Sequence, residues 1–304
     1  MEIIDVIKNN FNKGYFNKAM AIEGLPEEYP AWTIKRNDWY GVAVPADNMP
    51  FSEKFASARI WKITATIDGQ DMDLLALTCS NVELRNEFAL ICAQFVQPGE
   101  NGSQRKKLIV SPAEWWNNWK VLLGNKSLND DTYPILGEII VVSKLMSLGC
   151  HPKWSGIESA THDVELANTN RSYEVKSTSS RYGYEVEISS IYQLKKAGEQ
   201  LDLVFLRFER SLLGVCINDL VNELVSLGES RTQLEEALEK KGLENGCTAR
   251  EIKYKLLEMK VFPVDDSFPM LTIESFVGST LPAHIKKVKY VVDLAGVEGK
   301  AEII

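Results

Sequence analysis

The run from residue 162 to 180, HDVELANTNRSYEVKSTSS, places Asp163, Glu174 and Lys176 on two short segments with strand character, joined by a polar turn. Side chains alternate across a strand, so Glu174 and Lys176 share one face while Val175 takes the other. Asp163 precedes Glu174 by eleven positions. If DVEL pairs with YEVK through a turn at 167–171, its carboxylate reaches the same sheet edge. Two carboxylates and the Val175 backbone carbonyl would then offer an all-oxygen, octahedral seat for Mg²⁺ or Mn²⁺, hard ions that keep several waters. An ammonium at Lys176 beside that seat can orient or deprotonate a water and neutralise charge growing on a phosphate. Phosphodiester hydrolysis needs that combination, because its transition state gathers negative charge on both attacking and leaving oxygens.

The Glu-x-Lys spacing alone carries little information. It recurs at Glu239/Lys241, Glu251/Lys253, Glu258/Lys260 and Glu298/Lys300, but only Glu174 follows a strand that supplies an aspartate. Two further residues join the set. Glu138 lies on a helical stripe with Val141, Val142, Leu145 and Leu148. A carboxylate on a buried stripe is costly without a partner, which a metal or Lys176 would provide; the alternative is a first-turn Glu favoured by the helix dipole. Gln193 is expected in a helix after a third strand, where it can hydrogen-bond a phosphate, a base or Lys176, or simply sit on the surface.

The elements that must position these groups follow from patterning. PILGEIIVVSKLMSLG, with Pro134 at its start and Gly149 past its end, predicts one helix. Two strands come next, then a third at 184–188, a helix over about 190–200 and an apolar strand, LDLVFLRF, giving the order αβββαβ. Three regions are expected: an N-terminal α+β region (1–128), this core (129–212) and a mainly helical C-terminal region (213–304), either a winged-helix module or a plain helical extension. In the first region, RIWKITATIDGQDMDLLALTCS predicts a β-hairpin turning at Asp68-Gly69. Trp115, Trp116 and Trp119 on one helix could be a base-stacking platform, but core packing is the simpler reading.

Composition excludes several classes. The five cysteines are scattered without a C-x-x-C pair and only three histidines are present, so disulfide frameworks, zinc knuckles and His-rich metal sites lack material. No apolar run is long enough to span a bilayer and no secretory leader is visible, so a cytoplasmic protein is expected. A net charge of −8 weighs against a surface that embraces nucleic acid throughout. Local patches at Arg105-Lys106-Lys107, Lys195-Lys196 and Lys286-Lys287-Lys289 remain candidates.

Taken together, the order αβββαβ with Glu138, Asp163, Glu174-Val175-Lys176 and Gln193 resembles the PD-(D/E)XK nuclease superfamily over roughly residues 133–210. More narrowly, GEIIVVSKLMSLG, WSGIESATHDVEL and EVKSTSS…EVEISSIYQL are similar to bacterial PD-(D/E)XK motif proteins found beside restriction and phage-defence genes. The resemblance implies a restriction-endonuclease-like α/β core with a mixed sheet, α+β over the whole chain. It also implies a metal-dependent hydrolase that cuts DNA as an endonuclease of a restriction or antiviral defence system, with other defence subunits as partners. Asp163 and Glu174, with the Val175 carbonyl, are then expected to bind Mg²⁺ or Mn²⁺, Lys176 to assist the water, Glu138 to support the metal and Gln193 to position substrate. His162 departs from the proline of the family's name; in a strand it would point away from Asp163. A catalytically inactive nuclease-fold subunit that binds DNA or acts as a scaffold is one alternative, and a structural ion-pair ladder is another. A homodimer would suit double-strand cutting at a palindrome, and a monomeric nicking subunit fits equally well.

Overall fold

A computed structural model describes residues 2–13, 18–47, 50–122, 131–155, 162–166, 168–195, 200–301 and 303. Its contacts divide the chain into two compact units, Met1–Asp130 with Asn245–Thr248, and Asp131–Glu244 with Ala249–Ile304.

The first unit opens with α1 (Ile3–Asn12) and builds a six-stranded sheet from β1 (Lys18–Ala21), β2 (Trp32–Lys35), β3 (Tyr40–Pro45), β4 (Ser52–Phe55), β5 (Ala58–Ile67) and β6 (Gln70–Cys79). The strand order is β1-β2-β3-β6-β5-β4 and every pairing is antiparallel. Asp68 and Gly69, with φ of 49° and 82°, close the long β5–β6 hairpin in the left-handed backbone that two-residue hairpin turns require. Leu75 and Leu77 of β6 join one buried cluster while Leu74 and Ala76 join another, because this central strand is covered on both faces. Helices α2 (Arg85–Val96), α3 (Ser103–Val110) and α4 (Pro112–Leu122) complete the unit. Trp116 is buried in its core and Trp115 packs edge-on against Phe95 at 5.1 Å, so these rings are core rather than a stacking platform. Arg105 is likewise no surface cation: it is buried and donates to the carbonyls of Pro30 (3.0 Å) and Val96 (2.6 Å).

In the second unit, α5 (Tyr133–Ser147) leads into β7 (Lys153–Trp154), β8 (Val164–Leu166), β9 (Arg171–Thr178), β10 (Glu185–Ile188) and β11 (Gln200–Val215). Gly149, with φ of 81°, ends the helix where the pattern predicts. After α6 (Ile217–Ser226) and α7 (Arg231–Lys240) come β12 (Tyr254–Pro263) and β13 (Tyr290–Asp293). The five-stranded sheet runs β12-β11-β9-β8-β7; β9 and β11 are parallel and the other neighbours antiparallel. The sheet is therefore mixed, as the family resemblance implies. Strand β10 leaves it and pairs with β13.

Two expectations are corrected. The region 213–304 is not mainly helical. Among its described residues, α6 and α7 are the α-helices, while β12 joins the five-stranded sheet against β11 and β13 pairs with β10. KLLEMK has good helix formers, but the open edge of β11 offers backbone partners and a place to bury Val261 and Phe262, and long-range pairing overrides local propensity. A separate winged-helix module is excluded for the same reason: these strands complete sheets begun upstream. The helix expected over 190–200 is also absent where it can be seen, since Ile191–Leu194 form a turn, and residues 196–199, including Lys196, lie outside the described residues.

Candidate active site

Strands β8 and β9 fix the site through their register. Val164 lies opposite Tyr173, so Asp163, one residue before β8, falls level with Glu174. No ladder hydrogen bond from β8 reaches Val175 there. Its N–H instead donates to Asp163 Oδ2 at 2.8 Å, while Oδ1 accepts no hydrogen bond from the described residues. A strand residue presents its N–H and C=O on the same edge, so the Val175 carbonyl faces the side from which Asp163 approaches.

Glu174 is buried and gripped from several directions. Its Oε1 lies 3.1 Å from Lys176 Nζ and accepts from Gln193 Nε2 at 2.5 Å. Gln193 is itself fixed by Ser189, whose N–H donates to Gln193 Oε1 at 2.7 Å. On the other side, His162 Nδ1 stands 3.6 Å from Glu174 Oε2. The expected same-face pairing of Glu174 and Lys176 is thus present, and Gln193 contacts the carboxylate rather than Lys176.

Helix α5 brings Glu138 to this region because it packs closely on β9 at Gly137, where an added Cβ would overlap Ser177 Oγ. Glu138 has partners other than those expected. Its Oε2 accepts from Trp154 Nε1 at 2.8 Å and pairs with Lys241 Nζ at 3.0 Å, and that ammonium lies over the Trp154 ring. Lys176 is not its counter-ion.

The electrostatics follow from crowding. Burial first, then the charges of Glu174 and Glu138, push the Asp163 carboxyl up to about 7, against the opposing pull of the Val175 N–H and Lys176. Burial is thus the first reason that Asp163 resists ionisation, and the like charges of Glu174 and Glu138 add to it. Among the described residues, no cluster of three or more His, Cys, Asp or Glu side chains is arranged to chelate a metal unaided. Mg²⁺ does not need one, since it binds through one or two carboxylates and retains its waters. Asp163, Glu174 and the Val175 carbonyl are hard oxygen donors, the chemistry that such an ion takes.

Comparison with known proteins bears on what this arrangement is. Residues 32–295 match a family described as "Putative PD-(D/E)XK family member, (DUF4420)". The chain belongs to this PD-(D/E)XK family. No curated protein and no solved structure matches it. The family match extends well beyond the site, across strands of the first unit as far as the C-terminal strand β13.

Three side chains escaped sequence reasoning. His162 was expected to point away, by strand alternation, but it lies in a bend ahead of β8 where alternation does not apply. Trp154 and Lys241 reach Glu138 from 16 and 103 residues away, and nothing local marks either as a partner. Of the basic candidates, Lys195 lies beside the site through its backbone, whose carbonyl receives His162 Nε2 at 3.1 Å, and Lys286 and Lys287 are exposed.

Proposed function

We propose that this protein is a metal-dependent nuclease that hydrolyses phosphodiester bonds of DNA, an endonuclease of a bacterial restriction or phage-defence system acting in the cytoplasm. The observation that carries this reading is the level placement of Asp163 and Glu174, with Lys176 on the second carboxylate and the Asp163 carboxyl raised by burial and by its neighbouring carboxylates. Asp163, Glu174 and the Val175 carbonyl would hold Mg²⁺ or Mn²⁺, with Glu138 supporting the site from α5. A bound divalent ion would supply charge neutralisation at the scissile phosphate. Lys176 then adds a mobile ammonium that can hydrogen-bond the attacking water and a non-bridging phosphate oxygen. Gln193 holds Glu174 in one orientation, so that the carboxylate does not swing away from its negatively charged neighbour.

The test is cleavage of plasmid DNA by purified protein with Mg²⁺ or Mn²⁺. Nicking or linearisation that EDTA silences and that is lost in Asp163→Ala supports the proposal. Mn²⁺ uptake without cleavage of DNA or RNA would favour the inactive DNA-binding or scaffold subunit, and no metal uptake at all would favour the ion-pair ladder.

A further inference from the structure

We infer that His162 is a positioning residue for Glu174, tying that carboxylate and the adjacent Asp163 to the turn at 189–195; this rests on the proposed metal-dependent reading. His162 is 2% exposed and its ring is fixed at one end, where Nε2 donates to the Lys195 carbonyl, a group that can only accept. The other ring nitrogen, Nδ1, is buried, has no hydrogen-bond partner among the described residues and is aimed at Glu174 Oε2 from 3.6 Å. A ring nitrogen without a partner in a closed space is costly. With Nε2–H committed to the carbonyl, Nδ1 and Oε2 meet through a single proton, carried by the ring as an imidazolium or by the carboxyl, and a small movement of either side chain then closes the gap into that hydrogen bond.

The consequence lies in how Glu174 is held. Gln193, itself braced by Ser189, takes one carboxylate oxygen, and His162, braced by Lys195, faces the other. Both braces belong to one turn. Asp163 follows His162 directly in the chain, so the same anchor that orients Glu174 also limits where Asp163 can go. Two carboxylates forced level with each other repel, and without fixed partners they would relax apart. Groups that hydrogen-bond a ligating carboxylate from behind typically govern metal affinity by about 10–100-fold.

The experiment measures Mn²⁺ binding by calorimetry to the full chain as wild type, His162→Leu and His162→Asn. Asparagine restores a donor near the Nδ1 position, whereas leucine fills the volume without one. We expect His162→Leu to raise the Kd for Mn²⁺ by about 10–100-fold with an unchanged circular dichroism spectrum, and His162→Asn to recover most of the loss. Leucine and wild-type proteins that bind Mn²⁺ equally well would overturn the assignment. A wild-type protein that binds no Mn²⁺ would overturn the metal-dependent reading and this role with it. Should the leucine variant not fold, ring ¹⁵N spectra of the wild type decide the matter: Mg²⁺ is expected to move the His162 Nδ1 resonance and leave Nε2 nearly in place. An unresponsive Nδ1 would count against the proposal.

Discussion

Asp163 Oδ2 accepts the backbone N–H of Val175 at 2.8 Å, at the point where the β8–β9 ladder ends. One hydrogen bond thus sets the distance between an aspartate and the Glu-x-Lys strand eleven residues downstream. It also pulls the Asp163 carboxyl down, but burial and two neighbouring carboxylates pull harder the other way.

That balance predicts a pH-dependent stability. Asp163 has its folded-state pKa raised from 3.8 to about 7, so it contributes stability that is fully present below pH 3.8 and lost as pH rises through about 7. In metal-free protein, Asp163→Asn should raise the melting temperature at pH 8 by about 2 °C or more and leave it nearly unchanged at pH 4. Thermal melts at the two pH values check this; an equal shift at both would contradict it.

Divalent metal should act in the same window. An ion bound at Asp163 favours its charged form, so Mg²⁺ or Mn²⁺ uptake should strengthen as pH rises from 6 towards 8 and release a proton. Calorimetry in two buffers of different ionisation enthalpy measures that proton directly, and EDTA should remove the metal-dependent gain in melting temperature.

Lys176 is partly accessible and pairs with a buried carboxylate. Lys176→Ala should lower DNA cleavage by about 10²–10⁴-fold while Mn²⁺ still binds, since the oxygen donors remain. Turnover and metal affinity measured on one preparation separate the two roles.

The contact of α5 with β9 is tight enough to test by a single methyl group. Gly137→Ala places its Cβ on Ser177 Oγ and should cost about 1–3 kcal/mol, more than the helix propensity gained. Ser177 Oγ is buried without a hydrogen-bond partner among the described residues, so Ser177→Ala should be nearly neutral and should rescue Gly137→Ala in the double variant. Urea unfolding of the four proteins reads the coupling.

Glu138 and Lys241 should be coupled as well. Removing only Lys241, as in Lys241→Met, leaves a largely buried carboxylate with Trp154 Nε1 as its remaining partner, whereas Glu138→Gln with Lys241→Met leaves no such charge. A double-mutant cycle should give a coupling of about 1 kcal/mol or more; additive effects would show the pair to be incidental.

The sequence by itself determined the local pieces. Alternation put Glu174 and Lys176 on one face, Asp-Gly closed the β5–β6 hairpin, and Pro134 and Gly149 bounded α5, because each depends on backbone geometry within a few residues. The order of types along 162–180 was enough to suggest hard-metal chemistry, and membership of a PD-(D/E)XK family agrees with it. Tertiary structure decided the rest. Only folding could assign Glu138 to Lys241 and Trp154, turn His162 towards Glu174, or enlist β12 as the strand beside β11, since each pairing joins segments whose separation in sequence leaves no local trace. Strand periodicity fails at a bend, and helix propensity yields where an unsatisfied sheet edge and a core can be completed together. The residues able to do chemistry were legible in one dimension; the neighbours that hold them still were not, because position in space, not order along the chain, selects them.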